Sequence, residues 1–373
     1  MDKQLFVTTI PHFSETNLNS FCWFLEYGLS DELRNFASAL NLNEKLNIRV
    51  YSEEFVLKRP KYSSVQCKRY DLTYAIRIYV PIELIEEGTV NEYLAFFGEI
   101  PLMTEEGTFI INGCERVIIN QIIRSPGIYY RRETQEKTLQ YSATLISDRG
   151  SWLKFEFETG TVQIRLNKAT TVDFYHLLET CGITNFDPST KFNLAILNKS
   201  IQQTPISDFD TNLLTKNLTN NQNINFDSNK GSEDNYLQIF NEKVYSLGKI
   251  GRKKLNSRLG LSIPDSITRV TIDDVIAISN YLVDLHANLG ELDDIDNLRN
   301  RRVRSIGELL QIQYGIGLSR LERSINERLM ITNSTAFKVA TIINPKPIIA
   351  SIKEFFGSCQ LSQFMDQTNP IAS

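Results

Sequence analysis

The segment ELDDIDNLRNRRVRS is the most highly charged part of the chain. It combines three aspartates with four arginines: Asp293, Asp294, Asp296, Arg299, Arg301, Arg302 and Arg304. Clustered carboxylates suit a hard cation such as Mg²⁺, which prefers oxygen ligands. The adjacent arginines instead favour a salt-bridged loop, or contact with nucleic acid, because guanidinium groups match phosphate and guanine edges. The segment alone leaves these three interpretations open.

A second segment, GKIGRKKLNSRLG, is rich in basic side chains, which are Lys249, Arg252, Lys253, Lys254 and Arg258. Such a run is typical of a solvated face, and phosphate contact is the alternative. Its glycines have neither the GxGxxG spacing nor the GK[ST] ending of a phosphate-binding loop. The segment therefore predicts a basic surface without a nucleotide loop.

Two turns place aromatic and basic residues together. Arg124 precedes a Ser-Pro-Gly turn in IIRSPGIYYRR, and Trp152 follows a glycine-containing turn in SDRGSWLKF. An exposed Trp beside an Arg can stack an unpaired base, which is worth about 1–3 kcal/mol. A Trp that opens a strand more often packs into a core. Both interpretations of Trp152 stay open on this pattern.

The chain lacks the patterns of a self-contained catalytic site. Its three histidines are isolated, and its five cysteines are odd in number and have no CxxC spacing. A disulfide framework and a zinc site are therefore not expected, and a reducing compartment fits the cysteine usage. No Ser-His-Asp or Cys-His arrangement is visible.

Composition limits the class of protein. A length of 373 residues predicts two or three domains. The net charge of −4 excludes a basic field over the whole chain, so any contact with DNA must come from local clusters. No apolar run approaches membrane-spanning length, and the N-terminal residues MDKQLFVTTIPHF resemble neither a signal nor a transit peptide.

Periodicity predicts a mixed α and β chain, with strands concentrated in the first half. Asn112-Gly113 lies between two β-rich runs and predicts a two-residue hairpin turn. A meander of three strands is expected between residues 139 and 166. Helical spacing covers residues 18–40, 174–181, 192–198, 272–287, 305–330 and 348–356. The Asn/Ser/Asp-rich residues 217–235 predict a flexible surface insertion.

Four long strings together resemble the β subunit of bacterial and plastid-type multisubunit DNA-directed RNA polymerase. They are GEIPLMTEEGTFIINGCERVIINQIIRSPGIYY, RGSWLKFEFE, GELDDIDNLRNRRVRSIGELLQIQYGIGLSRLE and PIIASIKEFFGSCQLSQFMDQTNP. They occur in family order and span almost the whole chain. The string LGKIGRKKLNSRLGL resembles the plastid branch in particular.

The resemblance implies an α+β, multidomain fold in which a lobe domain is inserted into a protrusion domain. Residues 1–123 and 301–357 correspond to the protrusion, residues 124–300 to the lobe, and residues 358–373 to the start of the fork domain. The chain is expected to be one part of a subunit that is split into two polypeptides. A fragment of a longer subunit is the alternative.

The resemblance also implies a site for the non-template DNA strand. In the family, four residues that match Arg124, Trp152, Asp296 and Arg301 line a pocket for this strand ahead of the active centre. Trp152 offers a stacking face, and Asp296 can accept hydrogen bonds from a guanine edge. Arg124 and Arg301 can meet phosphate or orient Asp296.

A second set of residues corresponds to the family's inhibitor pocket on the RNA side. It comprises Arg116, Ile119, Gln121, Cys359, Gln360, Leu361, Gln363, Phe364 and Asp366. Cys359 replaces the usual serine, which exchanges a good hydroxyl donor for a weak thiol. Asn297 and Arg299 replace a His and a Gly beside Asp296. These departures put sensitivity to the inhibitor in doubt and are expected to alter the shape of the strand pocket.

The expected function is that of a non-catalytic portion of RNA polymerase, with no catalytic residue and no metal ligand in this chain. Mg²⁺ is expected to be held by the β′ subunit. The expected partners are the remaining part of β, β′, α, a sigma factor, DNA and nascent RNA, with no membrane. The plastid stroma or nucleoid is the expected location, and the bacterial cytoplasm the alternative. Rival functions are a free-standing nucleic-acid-binding regulator and a metal-dependent nucleotidyl enzyme built on Asp293, Asp294 and Asp296.

Overall fold

The chain divides into two compact units, one inserted in sequence into the other. One unit comprises Met1–Ile122 and Val303–Ser373, and the inserted unit comprises Ile123–Arg302. The computed structural model describes residues 14–40, 48–86, 89–135, 138–158, 161–165, 171–174, 177–178, 240, 245–287, 289–331 and 343–366. The insertion predicted at residues 217–235 and the helix predicted at 192–198 lie outside these ranges, as does most of the helix predicted at 174–181.

The helices of the described residues are, in chain order, α1 (Glu15–Trp23), α2 (Leu29–Leu40), α3 (Ser64–Arg69), α4 (Gly248–Leu259), α5 (Ile272–His286), α6 (Ile306–Ile331) and α7 (Lys346–Ser358). A π turn, Phe24–Gly28, joins α1 directly to α2, and a short 3-10 turn spans Leu298–Asn300. The helices predicted at 18–40, 272–287, 305–330 and 348–356 are confirmed with small changes in their ends.

The strands form mostly antiparallel sheets. In chain order they are β1 (Ile48–Val50), β2 (Val56–Lys58), β3 (Ala75–Glu86), β4 (Thr89–Pro101), β5 (Phe109–Ile111), β6 (Cys114–Ile118), β7 (Gln121–Arg124), β8 (Gly127–Gln135), β9 (Thr138–Ile146), β10 (Leu153–Glu158), β11 (Thr161–Arg165), β12 (Thr171–Asp173), β13 (Arg301–Arg304) and β14 (Ser362–Phe364). Together with the helices they confirm the predicted α+β class.

The first unit contains two sheets. In the larger one, β4 pairs along one edge of β3, while β1 and β2 pair with the other edge. The smaller sheet has the order β14-β6-β5. Between β5 and β6, Asn112 and Gly113 have φ values of +48° and +78°, and Ile111 pairs with Cys114. Positive φ at both residues is what a type I′ turn requires, so the predicted hairpin is confirmed.

The core of the first unit is built around α6, which packs against α1, α2 and α7. Leu310, Tyr314 and Leu321 of this helix are buried together with Phe24 and other apolar side chains. Gly307 allows the close approach of α6 to α1, because a Cβ at this position would lie 2.1 Å from the carbonyl oxygen of Ser20. The helical period of residues 305–330 therefore marks the central helix of this unit.

The inserted unit is built on an antiparallel meander in which β8, β9, β10, β11 and β12 pair in sequence order. This order confirms the strands predicted between residues 139 and 166. Helix α5 packs against β9 and β10, and α4 packs against β8. Phe155 and Ile164 from the sheet share one buried core with Leu255 and Ile278 from the helices.

A fully buried ion pair links α4 to α5. Arg252 Nη1 lies 2.6 Å from Asp274 Oδ1, and both side chains have 0% exposure. Arg252 also donates to the backbone carbonyls of Ile267 and Arg269, while Asp274 Oδ2 accepts from the N–H and hydroxyl of Thr271. The prediction that Arg252 lies on a solvated or phosphate-binding face is therefore wrong, because its charge is neutralised inside the unit.

Candidate nucleic-acid interface

Asp296 and two arginines converge in the inserted unit. Strand β7 ends at Arg124 and pairs with β13, which begins at Arg301. Arg301 Nη2 donates a hydrogen bond to Asp296 Oδ1 at 2.8 Å, and Arg124 Nη2 lies 3.8 Å from the same oxygen. Arg124 is thus brought to a carboxylate that lies 172 positions away in the sequence.

Local hydrogen bonds fix the loop that carries Asp296. The carboxylate of Asp294 accepts the N–H of Asp296 at 3.0 Å, and the Asn297 side chain accepts the N–H of Arg299 at 3.0 Å. Asn300 donates from its side chain to the Asp294 carbonyl at 2.6 Å and accepts the N–H of Ser125 at its own carbonyl at 2.9 Å. Asn300 therefore ties this loop to the turn that follows Arg124.

Trp152 is the fourth residue at this site, beside Arg124, Asp296 and Arg301. It lies just before β10, and 50% of its surface is exposed, so the interpretation of this residue as core is wrong. The guanidinium carbon of Arg124 lies 5.6 Å from the centroid of its ring, within the range of a cation–π interaction. The structure thus brings together Trp152, Arg124, Asp296 and Arg301, which we term the Trp152–Asp296 cluster.

The electrostatics of the cluster keep Asp296 ionised. The hydrogen bond from Arg301 lowers the pKa of Asp296, and the charges of Arg301, Arg124 and Arg131 act in the same direction. Both arginines approach Oδ1, and no described residue donates a hydrogen bond to Oδ2. A half-exposed ring and a free carboxylate oxygen can together stack one base and accept from the donor edge of another.

The three aspartates of the segment have separate roles. Asp293 accepts the N–H of Tyr130 at 3.1 Å through Oδ2 and pairs with Arg258 at 3.2 Å through Oδ1. Asp294 orders the loop, and Asp296 faces the two arginines. Across the described ranges no three His, Cys, Asp or Glu side chains are grouped to hold a metal ion. The carboxylates are therefore not arranged there as one ligand set.

The residues of the predicted inhibitor pocket lie in the first unit, around β14 and β6. Arg116 Nη1 donates to the carbonyl of Phe356 at 2.7 Å, and its guanidinium carbon lies 4.2 Å from the Phe364 ring centroid. Phe364 is 66% exposed and Ile119 45% exposed. The N–H of Ile119 donates to the Leu361 carbonyl at 2.9 Å. Arg116, Ile119, Leu361 and Phe364 thus lie side by side.

Two members of this set are partly buried, and the rest lie in or beside the strands. Cys359 and Leu361 are partly buried and pack against the core of the unit. Gln363 donates to the carbonyl of Gln360 at 3.3 Å. Gln121 opens β7, and Asp366 follows β14. The strand β14 itself was not predicted from the sequence, because its three residues are too few to show a period.

Part of the chain matches a known protein family. Residues 124–304 match the family described as RNA polymerase Rpb2, domain 2. That part of the chain is similar to this family. Its limits nearly coincide with the inserted unit, Ile123–Arg302, and enclose the whole Trp152–Asp296 cluster.

Similarity to RNA polymerase extends over the whole chain. The chain is 44% identical to the DNA-directed RNA polymerase subunit beta of Guillardia theta, over 98% of its own length and 34% of the relative's. The corresponding subunit of Rhodomonas salina is 44% identical over 99% of the chain and 34% of the relative. That of Synechococcus elongatus is 43% identical over 97% and 34%. The chain therefore spans about a third of the length of these relatives and is similar to that third throughout.

Sequence reasoning missed two residues that support the Trp152–Asp296 cluster. Asn300 joins the two loops, and Tyr129 donates from its hydroxyl to the Ser125 carbonyl at 2.7 Å, with the Asn300 carbonyl 3.4 Å away. Tyr129 follows the Arg-Ser-Pro-Gly turn closely in GIYY, which is the one sequence signal for its role.

None of the described helices combines the length and apolar character needed to cross a bilayer.

Proposed function

We propose that the chain is the N-terminal portion of an RNA polymerase β subunit and that the Trp152–Asp296 cluster holds the unpaired non-template DNA strand. The observation that carries this proposal is the convergence of Trp152, Arg124, Asp296 and Arg301 within the residues that match the Rpb2 domain 2 family. A stacking ring, an ionised acceptor and two cations are the groups that unpaired bases and phosphates require.

In this proposal each part of the cluster has a separate task. One base stacks on the exposed face of Trp152, and a guanine donates to the free Oδ2 of Asp296. Arg301 orients the carboxylate through Oδ1, so the acceptor is positioned before the strand arrives. Arg124 lies between the ring and the carboxylate, where it can also meet a phosphate.

The proposed catalytic reaction belongs to the assembled enzyme. Phosphodiester formation from ribonucleoside triphosphates by a two-metal mechanism would use Mg²⁺ held by the β′ subunit, and this chain would supply no metal ligand.

Residues 1–123 and 301–357 would form the protrusion, residues 124–300 the lobe, and residues 358–373 the start of the fork. The set around Arg116 and Phe364 would form part of the RNA-side wall.

The proposed partners are the remaining part of β, β′, α and a sigma factor. The neighbouring exposed side chains of Phe364 and Ile119, which are 66% and 45% exposed, support a partner on the first unit, because adjoining exposed apolar side chains are a feature of contact surfaces. Relatives in plastid-bearing algae and in cyanobacteria support a plastid or bacterial setting.

An affinity-tagged form of this chain, purified under native conditions, tests the proposal. We expect mass spectrometry to identify the remaining β sequence and β′ with the chain, and the complex to synthesise RNA on a DNA template. A chain that is recovered without polymerase subunits and binds DNA stably by itself would instead be a free-standing binder.

A further inference from the structure

The larger sheet of the first unit buries one side and leaves the other partly exposed. On the central strand β3, the even-numbered residues 76–82 are buried in the core, whereas the residues between them are only partly buried. On that second side, Val56 of β2 and Leu94 of β4 are 45% and 51% exposed. Such alternation is typical of a sheet with one side on the core and one side open. We call the second side, which includes Val56, Lys58, Arg77, Tyr79, Leu94 and Phe96, the outer face.

Two aromatic rings and an ammonium group are in contact on the outer face. Tyr79 of β3 lies opposite Phe96 of β4, and their ring centroids are 5.3 Å apart. The Nζ of Lys58, on β2, lies 4.2 Å from the centroid of the Tyr79 ring, within the range of a cation–π interaction. Both aromatic residues are partly exposed. The three strands thus carry an aromatic pair with a positive charge directly beside it.

Positive charge is concentrated at the end of β2, next to these rings. Residues 55–70 contain five basic residues and no acidic residue. Among them, Lys58, Arg59 and Lys61 are exposed, and no carboxylate in the described ranges forms an ion pair with any of the three. A strand advances about 3.3 Å per residue, so the backbone of Lys61 lies within about 10 Å of that of Lys58. Three cations are therefore available close to the aromatic pair.

The carboxylates of the outer face are paired or lie farther along the sheet. Glu99 of β4 binds Arg77 at 3.0 Å. Glu83 and Glu92 lie opposite each other on β3 and β4, and Arg49 of β1 lies opposite Glu83. Glu83 is four residues beyond the ring that β3 carries, which corresponds to about 13 Å along the strand. The charge of the outer face is thus divided, and its positive end lies at the rings.

Rings next to cations fit a single-stranded nucleic acid better than they fit another protein. Proteins that hold single strands combine aromatic rings for the bases with basic side chains for the phosphates. Four-stranded sheets that bind RNA present aromatic rings on their open side in this way. A protein partner favours an apolar centre with few charges, whereas here Lys58 lies against the Tyr79 ring. The proposed reaction produces such a single strand, the RNA transcript.

We propose that the outer face binds single-stranded RNA, with bases stacked on Phe96 and Tyr79 and phosphates bound by Lys58, Arg59 and Lys61. The identification of this RNA as the transcript rests on the proposed function, while the binding itself is a property of the first unit. Stacking and phosphate contacts carry no direct sequence information, so the outer face is expected to bind without base preference.

Binding of a short fluorescein-labelled oligouridylate to the full chain, followed by anisotropy at several KCl concentrations, tests the outer face. We expect Phe96→Ala to raise Kd about 5- to 150-fold, because one stacked base is lost. Each lost phosphate contact to a single strand reduces the slope of log K against log salt by about 0.7. Lys58→Gln should therefore reduce it by about 0.7, and the triple variant Lys58→Gln/Arg59→Gln/Lys61→Gln by about 2.

Lys353→Gln is the matched control for Lys58→Gln, because it removes the same charge from an exposed position of the same unit, on α7 and outside the outer face. The triple variant changes exposed side chains only, so the test stays valid if Phe96→Ala unfolds. No binding by the native chain, an unchanged slope in the triple variant, or equal slopes for Lys58→Gln and Lys353→Gln would overturn the proposal.

Trp152→Ala separates the outer face from the Trp152–Asp296 cluster. The loss of RNA affinity in Phe96→Ala should persist when Trp152→Ala is also present, and its disappearance would assign the RNA to the cluster instead. Failure of the proposed function has a different sign, namely the absence of polymerase subunits from the native purification.

The source of the RNA is tested in the assembled enzyme. A transcript that contains thiouridine should cross-link on irradiation to the peptide that carries Phe96, and cross-links confined to other peptides would contradict the assignment to the transcript. A protein whose retention on the chain is abolished by Phe96→Ala, with unchanged affinity for oligouridylate, would make the outer face a protein-docking surface and overturn the proposal.

Discussion

Arg301 donates to one oxygen of the Asp296 carboxylate, Oδ1, at 2.8 Å, and Arg124 approaches that same oxygen. Among the described residues, Oδ2 is left without a donor. A carboxylate held in this way has a fixed orientation and a free acceptor, which is the condition for reading a hydrogen-bond donor on a base. The relationship between Asp296 and Arg301 is therefore central to the proposed function.

Removal of the Arg301 charge should raise the pKa of Asp296. We expect Arg301→Gln to move this pKa from its lowered position towards the usual 3.8, because the largest cause of the shift is the hydrogen bond from Arg301. Because the native pKa is lowered, the stabilisation from the pair is present above 3.8 and is lost as the pH falls through the lowered value.

A ¹³C NMR titration of the Asp296 carboxyl, assigned with Asp296→Asn, measures the change. Arg302→Gln is the control, since Arg302 carries the same charge but pairs with Asp148. An Asp296 pKa that is equal in Arg301→Gln and Arg302→Gln would contradict the described geometry.

Trp152→Ala should weaken DNA binding without unfolding the chain. Loss of one stacked base costs about 1–3 kcal/mol, which corresponds to a roughly 5- to 150-fold increase in Kd. Fluorescence anisotropy of the assembled enzyme on premelted DNA measures this Kd. Trp23→Ala is the matched control, because Trp23 is 41% exposed and lies outside the cluster. Equal Kd values for the two variants would rule out a stacking role.

Arg252→Met should be among the most destabilising substitutions in the inserted unit. It leaves the Asp274 carboxylate fully buried without its cation, and breaking a buried pair from one side costs about 3–5 kcal/mol. Urea unfolding followed by circular dichroism gives the change in the free energy of unfolding. Lys253→Met, one residue away on an exposed position, should stay within about 0.5 kcal/mol of the native chain. A similar loss in both variants would mean that the pair does not stabilise the fold.

Gly307→Ala should destabilise the first unit, since its Cβ would lie 2.1 Å from the backbone oxygen of Ser20. Gly357→Ala on α7 is the control, because nothing lies within 4 Å of the added Cβ. In the helical position of Gly357, Ala is expected to be neutral or to stabilise by up to about 1 kcal/mol. The Tm should therefore fall in Gly307→Ala and stay unchanged or rise in Gly357→Ala, and a lower Tm for Gly357→Ala than for Gly307→Ala would refute the close approach of α1 and α6.

The elements with a clear period or turn signal could be predicted from the sequence. The hairpin at Asn112-Gly113 has a local cause, because both residue types readily adopt the positive φ that the turn requires. Helix α6 has a long apolar repeat. The burial of Arg252 could not be predicted in this way, because its partner Asp274 lies 22 residues away and no local pattern marks the pair. A basic run looks the same in sequence whether its members are solvated or neutralised inside the fold.

The candidate site was predictable in part. The types and spacing of its residues left three interpretations of the aspartate segment open, and the family resemblance selected Arg124, Trp152, Asp296 and Arg301. The structure brings these four together, but the supporting roles of Asn300 and Tyr129 depend on contacts between loops about 170 residues apart. These contacts depend on the pairing of β7 with β13. Each of these strands has only four residues, so neither shows a sequence pattern that predicts the pairing.

The most direct test of the cluster is base preference in the assembled enzyme. Dissociation rates are measured on premelted DNA that differs only in whether guanine or adenine occupies the non-template position facing Asp296, for the native enzyme and for Asp296→Ala. We expect slower dissociation from the guanine strand in the native enzyme and equal rates in Asp296→Ala. A native enzyme that leaves both strands at the same rate, or an Asp296→Ala enzyme that keeps the full preference, would contradict the assignment of Asp296 as the base-reading residue.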